Sequence, residues 1–310
     1  MNGKPLVTII IPSYNHVKYI EQSVNSALSQ TYKNLEIIIV DDGSTDATHD
    51  LLNQVYGSNG RVRLVLNKKN RGQSTVMNQG LAIAKGQFVQ QLSSDDWLLP
   101  DKISLQLEKF EEIGNDVGVV YGRGYRYFED SKELREVDLS MCRGNILAKL
   151  AENGNFIFPM SPLFRREVFD KVSFDESYSA QGEAIYVLIS LYYNFDYVDE
   201  PVAVMRDHSY NAGKNTSILY EEVWRYWEEF FSNPIVPKEI RKYKKARMRK
   251  LHRTKGFQFI GENYDFRMGR RCLLNAVKVD PMLIFDFRVV GSIVFSFLPI
   301  EIAKIALRFR

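Results

Sequence analysis

Cysteine is scarce in this 310-residue chain: Cys142 and Cys272 stand far apart and match no metal-ligand spacing. That excludes a disulfide framework and a zinc knuckle, and both residues read as buried, reduced thiols of a cytosolic protein. A surplus of one charge is also missing, since 41 Lys and Arg against 38 Asp and Glu leave +3. Global charge therefore does not argue for nucleic acid. No apolar stretch of signal-peptide length follows Met1-Asn2-Gly3-Lys4-Pro5, so secretion is not expected. Glycine is absent from the turn Pro12-Ser13-Tyr14-Asn15-His16, where a dinucleotide-binding Rossmann turn needs it to bring the backbone close to a pyrophosphate. A Walker A loop is absent as well. Hydrophobic content of 45% and charged content of 25% are those of an ordinary globular chain, long enough for one large domain with an appendage or for two smaller ones.

What is present is an alternation of short apolar runs and amphipathic stretches. Val7 to Ile11, Leu35 to Val40, Val62 to Leu66, Gln87 to Leu92 and Val117 to Tyr121 read as buried strands. Between them lie helical patterns. Val17, Ile20, Val24, Ala27 and Leu28 share one face, and Ile103, Leu107 and Phe110 share another within Asp101 to Ile113. Repeated β-α-β units imply a mainly parallel, Rossmann-like sheet with helices on both faces. The middle of the chain is less regular. Tyr125 to Phe128 and Phe156 to Phe164 read as extended, and Glu183 to Tyr193 as a helix. Val198 to Met205 reads as a strand near an edge because Pro201 interrupts it. From Glu221 onward the pattern is helical, which divides the chain into residues 1–220 and a helical region of residues 221–310.

Two aspartate pairs stand at strand ends: Asp41-Asp42 after the second strand and Asp95-Asp96 after the fourth. Carboxyl edges of open α/β sheets are where ligands bind. Asp41-Asp42 can accept hydrogen bonds from an imide N–H or from ribose hydroxyls, or can serve as a turn-forming carboxylate. Tyr14 offers a base an aromatic face, or merely covers the sheet end. Asp95-Asp96 suits Mg²⁺ or Mn²⁺ bridged to a substrate phosphate, or caps the helix that follows. Their order on successive strand ends favours one shared site for a phosphate-bearing ligand.

The ordered motifs resemble family 2 of the nucleotide-sugar glycosyltransferases, whose fold is called GT-A. The resemblance begins at Pro5 with Val-Thr-Ile-Ile-Ile-Pro-Ser-Tyr-Asn and runs through Glu36-Ile-Ile-Ile-Val-Asp-Asp-Gly-Ser-Thr-Asp46, Asn70-Arg-Gly72 and Ser94-Asp-Asp96. It continues through Phe164-Arg-Arg-Glu-Val168 and Phe174-Asp-Glu176 to Arg206-Asp-His208, about two-thirds of the chain. It implies a nucleoside pocket at Pro12, Tyr14, Asp41 and Asp42, and a nucleotide lining at Asn70 and Arg71. It implies a metal and diphosphate motif at Asp95 and Asp96, and, near the motif that closes over the diphosphate, His208 as a third metal ligand. It places the catalytic carboxylate at Glu183. Two departures stand out. Ser93 replaces an aspartate common two residues before the pair's first member, and Ala184 follows Glu183 where many relatives have aspartate. If the second residue is the base, Glu183, Asp175 or Glu176 must serve instead, and the loop freedom given by Gly182 favours Glu183.

The activity this implies is an inverting, Mn²⁺- or Mg²⁺-dependent transfer of a sugar, with a UDP-sugar favoured as donor. The acceptor is a saccharide or lipid-linked saccharide of a bacterial surface polysaccharide. A nucleotidyltransferase and a binding protein with a decayed site remain the rival readings. The basic run Arg241 to Lys250, the apolar stretch Val289 to Ile300 and the mixed segment Ile300 to Arg310 suit either a docked C-terminal helix or peripheral contact with an anionic membrane through residues 241–310. The resemblance adds weight to the membrane and places the protein in the cytoplasm, at the inner face of the cell membrane.

Overall fold

A computed structural model describes residues 3–178, 182, 184–209, 211 and 216–298, without the side chains of residues 216–218. Glu183 and the segment Ile300 to Arg310 lie outside the described residues. The chain divides into two compact units, Met1–Ile146 with Asn155–Ser209, and Leu147–Gly154 with Tyr210–Arg310.

The first unit is built on strands β1 (Val7–Ser13), β2 (Leu35–Asp41), β3 (Val62–Leu66) and β4 (Phe88–Gln91), all parallel. The period-two alternation of β2 sorts its side chains. Ile37 and Ile39 join Ile9, Ile11, Val24 and Leu52 in one buried cluster, whereas Ile38 and Val40 join Val76 and Ala84 in another. Helices α1 (Ile20–Leu28) and α2 (Thr48–Tyr56) therefore cover one face and α3 (Gln73–Ile83) the other. After β4 come the two-residue strand β5 (Trp97–Leu98), helix α4 (Lys102–Glu112), and strands β6 (Val117–Phe128) and β7 (Glu133–Glu136). Helix α5 (Leu147–Asn153) belongs to the second unit. The first unit ends with β8 (Leu163–Arg165), α6 (Ala184–Ile189) and β9 (Asn194–Asp207). Among the described residues the sheet order is β3-β2-β1-β4-β8-β6-β9-β5, with β7 beside β6. The β8 pairings to β4 and β6 are antiparallel, while β6 and β9 are parallel. The architecture is the expected GT-A fold: an α/β sheet, mostly parallel, flanked by helices.

Some elements differ from the sequence reading. The strand expected to stop at Tyr121 continues to Phe128 through Gly122 and Gly124, which the sequence presents as a break. A Cβ at Gly124 would collide with the ring of Phe158, so the glycine marks a close approach. The β6–β9 register shifts between Tyr121 and Gly124, a bulge that keeps the long strand in the sheet. Strand β9 begins at Asn194, earlier than expected, and Pro201 falls beside that bulge, one strand in from the edge. Only the end of Phe156 to Phe164 is paired, as part of β8.

The second unit is helical, with α7 (Thr216–Ser232), α8 (Lys238–Arg241), α9 (Lys244–Gly261), α10 (Phe266–Val279) and α11 (Phe287–Phe295). Two contacts between buried polar and aromatic groups lie within it. Tyr220 and His252 share a 2.8 Å hydrogen bond, and the Arg247 guanidinium lies 4.6 Å from the Trp227 ring centroid. Cys272 is buried here and Cys142 half-buried in the first unit, both as free thiols.

Candidate functional site

The chain leaves β1 between two neighbours, with β2 and β3 on one side and β4 on the other. The strand order thus changes direction between β1 and β4, a switch point, and the loops after these two strands meet at the carboxyl edge, where Ser23 Oγ donates to the Ser93 carbonyl at 3.0 Å. Both aspartate pairs and the turn Tyr14-Asn15-His16 lie at this edge.

On the β2 side the loops lock together through carboxylates and backbone. Asp42 Oδ1 accepts from Arg71 N and its Oδ2 from Gly72 N, each at 2.9 Å. Asp41 turns inward, with Oδ1 accepting from Ser44 N at 2.9 Å and Oδ2 from Ser44 Oγ at 2.6 Å. Gly43 makes this turn with φ of 72°, and a Cβ there would lie 2.6 Å from the Lys69 backbone. Asn15, itself left-handed at φ of 54°, accepts from Thr45 N at 2.7 Å through Oδ1. Pro12, opposite Val40, and the partly exposed Tyr14 (41%) complete this side. Thus Pro12 and Asp41 at the ends of β1 and β2, and Tyr14, Asp42, Asn70 and Arg71 in the loops beyond the strands, all lie at one sheet edge. Asp41 and Asp42 differ in role: one shapes its own turn, the other holds the 70–72 loop.

On the β4 side the structure brings together His16, Asp95 and His208, whose ligand atoms lie within 4.8 Å of one another. His208 Nε2 stands 3.1 Å from Asp95 Oδ2, and His16 Nδ1 stands 2.6 Å from Ser94 Oγ. Burial lowers the His16 pKa against the opposing pull of Asp95, so its imidazole favours the neutral, ligand-competent form. One carboxylate and two imidazoles fit a first-row divalent ion such as Mn²⁺ better than Mg²⁺, which prefers oxygen alone. Asp96, expected as a metal ligand beside Asp95, is not in this group. Its Oδ1 accepts from Arg206 N at 2.8 Å, and burial together with Asp95 pushes its carboxyl well above the usual range. In the group found, His16 stands where the sequence reading placed Asp96. No spacing pointed to His16, since it lies nearly eighty residues before Asp95 and only the β1–β4 adjacency joins them.

Two further residues were not legible as parts of the site. Arg206 donates from Nε to the Asp95 carbonyl at 3.0 Å and bonds Glu129 and Gln22 through its other nitrogens. Its guanidinium lies 4.9 Å from the Tyr19 ring, 5.0 Å from Trp97 and 5.4 Å from Tyr127. Arg206→Met should destabilise the protein by roughly 3 kcal/mol, because a buried cation and its pairing are removed together. Urea unfolding checks this, and a parental midpoint contradicts it. Met160, at φ of 61°, places Sδ 3.0 Å from Ser93 N, while Gln90 Nε2 donates to its carbonyl at 2.8 Å. A thioether thus braces Ser93.

Of the carboxylates considered as base, Glu176 is tied down. It accepts from Thr75 Oγ1 at 3.0 Å and Asn78 Nδ2 at 3.1 Å, and these bonds hold it below the usual carboxylate range. Asp175 accepts from Ser177 N at 2.8 Å.

An open α/β sheet with polar, acidic loops at its carboxyl edge belongs to the class of folds that bind ligands at that edge. Residues 8–173 match the family model Glycosyl transferase family 2, and the chain belongs to that family. It is 40% identical to a hyaluronan synthase of Pasteurella multocida over 145 residues, 43% of this chain and 15% of that protein. The chain thus spans under a fifth of that relative's length. Among solved structures, S. aureus TarS 1–349 in complex with UDP-GlcNAc superposes with a TM-score of 0.65 at 17% identity, covering 96% of this chain and 91% of that one. The mannosyltransferase PcManGT from Pyrobaculum calidifontis, in complex with GDP-Man and Mn²⁺, gives 0.62 at 17% identity, covering 99% and 85%. These likenesses support the fold.

Proposed function

We propose that this chain is a metal-dependent, inverting glycosyltransferase. It moves a sugar from a UDP-sugar to a saccharide or lipid-linked saccharide hydroxyl in bacterial surface polysaccharide synthesis. The observation that carries the reading is the convergence of His16, Asp95 and His208 across the switch point from the loops held by Asp42. The UDP-GlcNAc of TarS and the name of the hyaluronan synthase favour UDP and a polysaccharide product.

Tyr14 offers its ring to the base, and Asp41, Asp42, Asn70 and Arg71 frame the nucleoside. His16, Asp95 and His208 would hold the cation, with Asp96 behind them. When bound, the ion supplies positive charge to the departing diphosphate, a Lewis-acid role. Glu183 takes the proton of the acceptor hydroxyl. That oxygen attacks the anomeric carbon opposite the diphosphate, the glycosidic bond to phosphate breaks, and the configuration inverts. In the same reading residues 1–220 form the transferase domain and 221–310 an appended helical region, working in the cytoplasm at the inner membrane face.

A thermal-shift panel of UDP-, GDP- and dTDP-sugars with and without Mn²⁺ tests donor choice. A UDP-sugar with Mn²⁺ should give the largest shift, about 2.7 kcal/mol of stabilisation at a hundred times its Kd. No shift with any donor contradicts the reading. Release of pyrophosphate rather than nucleoside diphosphate favours a nucleotidyltransferase.

A further inference from the structure

Helix α11 carries apolar side chains on more than one face. Val289 is buried, and Ile293 and Phe295 pack with Leu283 against a cluster of Ile260, Phe266 and Leu273. That inner face accounts for the fold of the second unit. Phe287, Val290 and Val294, at helical spacing on the other side, are exposed. The preceding 3-10 turn, Pro281–Phe285, exposes Met282, Ile284 and Phe285, and Phe297 follows the helix. Phe285 and Phe287 are each 79% exposed, more than any other large apolar side chain among the described residues. Eight of the fifteen exposed large apolar side chains among those residues fall within residues 282–298. Single exposed apolar residues are ordinary, but such a concentration marks a binding surface.

Charge indicates what covers it. Residues 241–298 hold fourteen Lys and Arg against four Asp and Glu, in a chain whose net charge is +3. The acids nearest the patch are already matched. Asp280 pairs with Arg249 at 2.7 Å and Lys245 at 3.6 Å, and Asp286 pairs with Arg253 at 3.0 Å while capping α11. Arg288 lies within the patch over the Phe287 ring. An apolar surface set in a cationic field complements an anionic lipid leaflet, and a copy of the same cationic unit would be repelled. No described helix is long and apolar enough to cross a membrane. A surface of this composition suits the interfacial region of a bilayer.

We propose that the surface of residues 282–298 is a peripheral docking site for anionic phospholipid. It gives the membrane contact of the functional reading a defined place, yet its test requires no catalysis, so the two can fail separately. Full-length protein is sedimented with vesicles of phosphatidylcholine alone and of phosphatidylcholine with phosphatidylglycerol. The parent should bind the mixed vesicles in preference to the neutral ones, and less at high salt. Phe285→Ser with Phe287→Ser should weaken binding more than about tenfold, since both rings insert. Arg288→Glu with Phe297→Ser, made separately, should weaken it as well and covers the case in which the first variant misfolds. Absence of vesicle binding by the parent, or parental binding by both folded variants, overturns the proposal. Concentration-dependent dimerisation abolished by these substitutions, without vesicle binding, assigns the surface to a second copy and overturns it too.

Discussion

Asp95→Asn is expected to reduce sugar transfer by about 10²–10³-fold, the scale for removing one preorganised electrostatic group from an active site. The substitution preserves volume, so folding is not at issue. What disappears is the negative charge between two imidazoles. The same variant should show Mn²⁺ affinity lowered by at least about 100-fold, beyond the range seen when only an outer partner of a ligand is altered. Calorimetric titration of Mn²⁺ reads this directly, and a Mn²⁺ titration of donor binding reads its consequence. Asp96→Asn provides the contrast. Its carboxyl is held by the Arg206 backbone, and it should affect stability more than metal affinity. Parental Mn²⁺ affinity in Asp95→Asn would remove this residue from the metal site.

Glu183→Gln should lower kcat by about 10²–10⁴-fold, the range for a general base. The amide keeps the shape and some hydrogen-bonding capacity, so the donor KM should change little. Loss should therefore appear in kcat, and the acidic limb of the pH–rate profile should disappear with it. The position matters because the two carboxylates nearby in sequence are otherwise engaged. Glu176 is pinned by Thr75 and Asn78, and Asp175 accepts from Ser177 N. Transfer at the parental rate in Glu183→Gln excludes it as the base and returns attention to those two.

Much of the sheet was legible because its strands are short, apolar runs ended by turn residues. The alternation of Ile37 to Val40 even separates the two helical layers. The later strands were harder. Gly122 and Gly124 look like breakers in one dimension and become contact points only when Phe158 and β9 are placed beside them. The site divided in the same way. Asp42 and Asp95 announce themselves as carboxylates at strand ends. His16 carries no local signal, since its meaning depends on β1 lying beside β4. Met160 reaches the site from a distant loop, which sequence spacing has no means of expressing, while Arg206 stands beside His208 in the sequence but its contacts with Asp95, Glu129 and Gln22 depend on the fold.

Asp42 grips the 70–72 loop by backbone N–H groups alone, at Arg71 and Gly72. The side chain at position 71 plays no part in that grip. Substitution of the side chain at position 71 should therefore leave the hold on this loop intact, so that the side chain and the loop's geometry can change independently.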